Sequence, residues 1–322
     1  MPARPDLAPA APPPPTGVPP PLGQAPPLGQ APPLGQTLPL GQPLPLGQPP
    51  PADLGPPPGA DIWHIGLDVD PEVVDLVATL LDAEERRRAH HMRDRLAAQR
   101  YVLAHAALRT VLGQYLGTSG YTLHWVRGPN GKPRFDGEWR RWQWSFSRSG
   151  GHALLAVCLA DPVGVDLEQI APATSALALA TRFLPADEAA TVAAQADPAG
   201  RRAVYHRLLS RKEACVKASG GRLLDGLRLG VLMSGVVEGT GVLTGQRWVL
   251  RDLPAPPGYV AALATTGTRL GRLRMFEWDW RPWHGGEDAG RLPGEPPGRR
   301  PGETYRFGHG SPVIASGPRG SQ

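Results

Sequence analysis

The chain has 322 residues and a formal charge of +5, and 40 of its residues are Gly and 40 Pro. Two cysteines, Cys158 and Cys215, are too few for a disulfide scaffold or a cysteine-built zinc site. No run approaches a membrane span, and prolines interrupt any signal-peptide core, so the sequence predicts a cytoplasmic protein with no membrane partner.

Residues 1–60 are dominated by Pro, Leu, Gly, Gln and Ala and contain five Leu-Gly-Gln copies, starting at Leu22, Leu28, Leu34, Leu40 and Leu46. Such a stretch has too few aromatic and β-branched residues to build a core, and its prolines favour extended conformations. It reads as a disordered tail. A Pro-rich docking ligand and a start codon upstream of the true one are the alternatives. Residues 281–322 are rich in Gly, Pro and Arg and read as a second disordered tail. About 220 residues remain between them, enough for one large domain or two small ones.

Within that part, residues 62–67 alternate as a strand. Residues 82–116 form a long helical region, broken once. Asp82, Glu84 and Glu85 suit its first turn, and Tyr101, Ala104, Leu108, Val111 and Tyr115 recur at helical spacing before Gly117 ends it. Strands are expected at 121–126 and 142–147, with a turn over 128–133 between them. Strands at 153–160 and 163–168 follow, separated by an Asp-Pro turn. Helices are expected around 175–183, from Pro185, and across 201–219, where Gly220 and Gly221 stop the last. Strands near 242–249, 259–264 and 272–280 close the domain. This order suggests an α+β fold of two similar halves, 61–160 and 161–280, joined near Asp161.

Two segments carry the chemistry. In Gly164-Val165-Asp166-Leu167-Glu168, strand alternation points Asp166 and Glu168 the same way, with Leu167 toward the core. In Ser210-Arg211-Lys212-Glu213-Ala214-Cys215-Val216-Lys217-Ala218-Ser219-Gly220, Glu213 and Lys217 share one helix face. Three converging carboxylates and a lysine would bind a hard divalent cation such as Mg²⁺ beside phosphate oxygens, a phosphoryl-transfer constellation. Taken singly, each segment also reads as solvated charge or a surface ion pair.

Together the two segments resemble the signature of the 4′-phosphopantetheinyl transferases, roughly G-[IV]-D-[IV]-E and then W-[ST]-x-K-E-[AS]-x-x-K-x-x-G. The resemblance runs from about Ile62 to about Trp280 and matches the Sfp-like, single-chain kind of secondary metabolism. It implies a pseudo-dimer of two α+β halves with the active site in the cleft between them. It further implies transfer of the phosphopantetheine arm of coenzyme A to a serine of an acyl or peptidyl carrier protein by a Mg²⁺-dependent monomer. Asp166, Glu168 and Glu213 would hold the metal. Glu213 would act as base, directly or through a metal-bound water, and Lys217 would hold the attacked phosphate with Lys212 as a second cation. In the same resemblance Ser147 and Arg148 meet the phosphates of the donor, Lys132 of the Gly131-Lys132-Pro133 turn lies against the nucleotide, and Arg86, Arg88 and Arg100 serve the 3′-phosphate.

Two departures stand out. Arg148 occupies the place of a histidine, and Leu209 that of a tryptophan. They support an alternative reading, a catalytically weak homologue that binds coenzyme A or a carrier protein as a regulator. A basic nucleic-acid-binding protein is a third class, but no recognisable nucleic-acid module accompanies the charge.

Overall fold

The computed structural model describes residue 57 and residues 59–280; the Leu-Gly-Gln repeats and the Arg-rich C-terminal segment lie outside them. The chain opens with strand β1 (Gly59–Gly66) and helices α1 (Pro71–Val77), α2 (Ala83–His90) and α3 (Arg95–Leu116). The two-residue strands β2 (Val126–Arg127) and β3 (Pro133–Arg134) precede β4 (Trp142–Ser149), β5 (His152–Leu159) and β6 (Val163–Gln169). Helices α4 (Ala176–Phe183), α5 (Ala186–Ala193), α6 (Pro198–Ser219) and α7 (Leu223–Gly226) follow. Strands β7 (Gly235–Glu238), β8 (Arg247–Leu253), β9 (Tyr259–Thr266) and β10 (Arg272–Glu277) end the described chain.

The fold is mixed α+β. Two four-stranded sheets have the orders β10-β1-β5-β4 and β6-β9-β8-β7, so β1-β5-β4 and β6-β9-β8 repeat one antiparallel arrangement. The helices repeat too. Helices α2 and α5 have eight residues each and α3 and α6 twenty-two, with starts at 83 and 186 and at 95 and 198, a constant offset of 103. Both long helices begin at an aspartate, Asp94 or Asp197, whose carboxylate accepts two backbone N–H groups. Both end at a left-handed glycine, Gly117 or Gly220.

Alternation along the strands sets the layers. In the first sheet Trp63, Leu155 and Val157 face a core shared with α1–α3, and in the second Trp248, Leu250 and Ala262 face a core shared with α4–α6. The opposite faces, with Ile62, Leu154 and Ala156 against Val165, Leu167 and Leu263, pack on each other as a third core. The order of layers is therefore helices, sheet, sheet, helices. Among the described residues no helix is long and apolar enough to cross a membrane.

Several elements differ from the sequence expectation. The strand expected at 121–126 is a 3₁₀ turn, Gly120–Thr122, followed by the short β2, because Arg109 draws the carbonyls of Gly120 and Leu123 onto α3. The strand expected near 242–249 begins only at Arg247; positive φ at Gly241 and Gly245 turns the chain first. Helix α1 and strand β7, both short, had no expected counterpart. Strand β10 runs parallel to β1 and joins the first sheet, held by the Arg274 guanidinium on buried Asp61 at 2.6 Å, so the second half is not the continuous block 161–280.

Gly164 fixes how α6 meets β6. A Cβ there would collide with the Ala214 carbonyl oxygen and the Ala218 amide nitrogen, so the helix backbone lies directly on the strand. Gly164→Ala should cost about 1–3 kcal/mol of stability, the usual penalty of overpacking. Gly66→Ala, where a Cβ meets nothing within 4 Å, should stay within about 0.5 kcal/mol. Urea unfolding of the two variants checks the contrast.

Candidate functional site

Strand β6 and helix α6 build the site between them. Asp166 and Glu168 lie on the helix-facing side of β6, and one carboxylate oxygen from each, with one from Glu213 on α6, lie within 4.8 Å of one another. The face of α6 turned to the strand carries His206, Ser210, Glu213 and Lys217, spaced four, three and four residues apart, one stripe of a helix. Ser210 Oγ donates to the Asp166 carbonyl at 3.3 Å, and Lys217 Nζ lies 2.5 Å from Asp166 Oδ1 and 3.7 Å from Glu213 Oε2.

The first sheet completes the knot. Ser145, Ser147 and Ser149 alternate along the edge strand β4 on the face turned to β6. Ser147 Oγ donates to Asp166 Oδ1 at 2.9 Å and accepts from Lys217 Nζ at 2.9 Å. Ser145 and Ser149 accept the backbone N–H groups of Val165 and Gln169 at 3.0 Å. Two hydroxyls thus take the place of a backbone ladder between the edge strands of the two sheets, and the third, Ser147, ties in the Asp166 and Lys217 side chains.

The electrostatics are unbalanced. Three carboxylates face one ammonium, and Asp166, only 1 % exposed, leaves Oδ2 buried with no hydrogen-bond partner. Burial and the neighbouring Asp166 charge push the Glu213 carboxyl up to about 7, although Lys217 pulls the other way. An all-oxygen cluster with surplus negative charge and an orphaned buried oxygen fits a hard divalent cation that also keeps waters or phosphate oxygens.

Beside this cluster a cleft of about 420 Å³ is lined by Tyr101, His105, Trp125, Trp144 and Phe146 from the first part of the chain and by Lys217, Gly220 and Gly221 from the second. Arg88 and Lys132 also line it.

The structure therefore brings Asp166, Glu168, Glu213, Lys217 and Ser147 together, with Arg88 and Lys132 on the adjoining cleft. Other expectations are corrected. Lys212, expected as a second cation, is wholly buried and pairs with equally buried Glu188 at 2.7 Å, because it follows Arg211 onto the helix face away from Glu213. Arg86 and Arg88 do not act as a pair: two residues apart on a helix they face different ways, and Arg86 turns back to the Leu81 carbonyl. Arg100 forms a two-point ion pair with Asp68 at 2.7 and 3.0 Å in a separate groove with Leu96 and Leu103. Ser147, expected at the donor phosphates, spends its hydroxyl on Asp166 and Lys217 at the seam. Arg148, on the opposite face of β4, lies over the Tyr101 ring at 5.3 Å, with Arg88 over the same ring at 5.6 Å. Leu209 packs against the second core, a packing role that a tryptophan there would share.

Lys132 is a brace. Its Nζ donates to the carbonyls of Val163 and Ala218 at 3.0 Å, and Asn130 donates to the Gly220 carbonyl at 3.0 Å. The 128–133 turn thereby caps the C-terminal end of α6, whose last carbonyls lack helical partners. His206 and Asn130 escaped the sequence reading. His206 was discoverable, since it sits seven residues before Glu213 on the same helical stripe; Asn130 gave no such signal.

Residues 162–237, which contain Asp166, Glu168, Glu213 and Lys217, match the 4′-phosphopantetheinyl transferase superfamily. The chain is 27% identical over 226 residues to the 4′-phosphopantetheinyl transferase HetI of Nostoc sp., covering 69% of this chain and 91% of that relative. It is 30% identical over 149 residues to a putative 4′-phosphopantetheinyl transferase of Synechocystis sp., covering 46% of this chain and 60% of the relative. It is also 30% identical over 155 residues to the 4′-phosphopantetheinyl transferase psf-1 of Bacillus pumilus, covering 48% and 64%. The chain thus spans less than two thirds of the last two.

Burial pulls the Lys132 ammonium down to about 8, and its partners are carbonyls rather than a carboxylate. A lysine lowered on folding opposes the folded state while charged. This cost is present below about pH 8 and fades as pH rises toward the unfolded value near 10.4. The stability of the wild type relative to Lys132→Met should therefore rise by about 1–3 kcal/mol between pH 7.5 and 10. Urea denaturation of both proteins at the two pH values measures it.

Proposed function

The chain belongs to the 4′-phosphopantetheinyl transferase superfamily and is a transferase, and we propose that it moves the phosphopantetheine arm of coenzyme A onto a serine of an acyl or peptidyl carrier protein in a Mg²⁺-dependent reaction. Adenosine 3′,5′-bisphosphate is the second product. The repeated sheets and helices are two halves of a pseudo-dimer, and the active site is the cleft at their seam. The observation that carries the reading is the three-carboxylate cluster, with the orphaned oxygen of buried Asp166, set beside a lysine that lines an aromatic cleft.

The residues divide the work. Asp166, Glu168 and Glu213 hold Mg²⁺, which when bound offsets the charge of the pyrophosphate and of the leaving oxygen. The carrier serine oxygen forms a bond to the phosphorus that bears the pantetheine arm, while the bond from that phosphorus to the bridging oxygen breaks. The serine proton passes to Glu213, whose carboxyl burial and the neighbouring Asp166 charge push up to about 7. Lys217 supplies a positive charge to the attacked phosphate. Arg88 and Arg148, stacked on Tyr101, offer guanidinium forks to the phosphates of the donor. The backbone of the Gly131–Pro133 turn and the aromatic wall receive the nucleotide, while the Lys132 ammonium stays on its carbonyls.

The test is a carrier-modification reaction. Wild-type protein with coenzyme A, Mg²⁺ and an apo carrier domain should raise the intact mass of the carrier by one phosphopantetheine arm. Asp166→Ala should lower the rate at least about a hundred-fold, and added EDTA should stop the reaction. Coenzyme A binding with no mass gain would contradict the transfer and favour a carrier- or donor-binding regulator.

A further inference from the structure

His206 belongs to the site although it contributes nothing to the cluster of three carboxylates. It lies on α6 on the stripe with Ser210, Glu213 and Lys217, is only 6 % exposed, and packs edge-on against Tyr205. Its Nε2 faces the Ala171 backbone N–H at 3.4 Å and the Thr174 hydroxyl at 3.2 Å. A backbone N–H can only donate, so Nε2 accepts, and in the neutral ring the proton sits on Nδ1. That Nδ1 is buried with no hydrogen-bond partner, and Glu168 Oε2 lies 3.8 Å away. A buried donor left unmade is costly, and a small rotation of the half-buried Glu168 carboxylate would satisfy it.

We propose that His206 is the positioning residue for Glu168: its Nδ1–H holds one carboxylate oxygen and leaves the other for the divalent cation. The proposal rests on the reading of Asp166, Glu168 and Glu213 as a cation site. Its physical basis is general. A carboxylate ligand that must be ordered at the moment of binding binds more weakly than one already held by a hydrogen bond, and such outer partners are worth about 10- to 100-fold in metal affinity. The Ala171–Thr174 turn directly after β6 fixes the ring, so the strand that supplies Glu168 also supplies, through its following turn, the contacts that set the tautomer of His206.

The experiment reads cation affinity alone, without donor or carrier. Mn²⁺ is titrated into the full chain, and free Mn²⁺ is followed by electron paramagnetic resonance. His206→Phe and His206→Leu both remove the donor, and whichever folds with a native melting transition is used. Either should bind Mn²⁺ about 10- to 100-fold more weakly than wild type. His206→Asn, which returns an N–H close to the place of Nδ1, should recover most of that loss, as a purely packing role would not allow. In a Glu168→Ala background, removing the donor should have no further effect. Wild-type affinity in the folded Phe or Leu variant, an Asn variant as weak as these, or an equal loss in the Glu168→Ala background would each overturn the proposal. Absence of Mn²⁺ binding by the wild type would instead overturn the cation site itself, and this inference with it.

Discussion

The seam between the edge strands β4 and β6 is the constraint on which the site depends. Where the edge strands of the two stacked sheets adjoin, their outer backbone groups must be satisfied, and this chain does so with side chains. Ser145 and Ser149 accept from β6 amides, and Ser147 reaches the Asp166 carboxylate together with Lys217. The same contacts that join the sheets therefore hold Asp166 against Lys217, which lines the cleft. Gly164 brings α6 onto β6 without an intervening side chain, which puts Glu213 and Lys217 in reach of Asp166. Structure and site share the Ser147, Asp166 and Lys217 contacts.

The 103-residue offset explains the rest of the frame. Glu85 and Glu188, and Arg109 and Lys212, hold equivalent places, and each acid–base pair is buried between a short and a long helix. In both, the cation also takes a carbonyl from the chain that leaves the long helix, Gly120 and Leu123 in one case and Leu229 in the other. Buried ion pairs contribute little net stability, but breaking one leaves a costly charge, so they act here to fix the path of the returning loop. The halves diverge at the carboxylate cluster. Thr110 and Gln114 stand at the positions equivalent to Glu213 and Lys217, and Trp63 at that of Asp166. One half carries the charged cluster; the other contributes aromatic side chains and arginines to the wall of the cleft.

Much of this was legible in the sequence, for stated reasons. Strand alternation put Asp166 and Glu168 on one face, and helical spacing put Glu213 above Lys217; both rules are local, and the structure obeys them. The two long helices were marked by their glycines. What escaped was non-local. Lys212 adjoins Glu213 in sequence, but one residue turns a helix by about 100°, which buries it against Glu188. Arg100 looked available on its helix and is taken by Asp68, thirty-two residues away. The return of β10 to the first sheet brings Arg274 onto Asp61, 213 residues away in the chain, a pairing that no local pattern announces. The internal offset was present in the sequence, yet so diverged a repeat becomes visible only once the helix bounds and their caps, Asp94 with Asp197 and Gly117 with Gly220, are set side by side.

The most direct measurement is a crystal structure of the protein grown with coenzyme A and Mn²⁺, with the metal located by its anomalous signal. One ion should lie about 2.0–2.2 Å from oxygens of Asp166, Glu168 and Glu213 and touch the pyrophosphate. Its remaining ligands should be water. Coenzyme A bound in the cleft with no metal at these three carboxylates, or with the metal held elsewhere on the chain, would contradict the account.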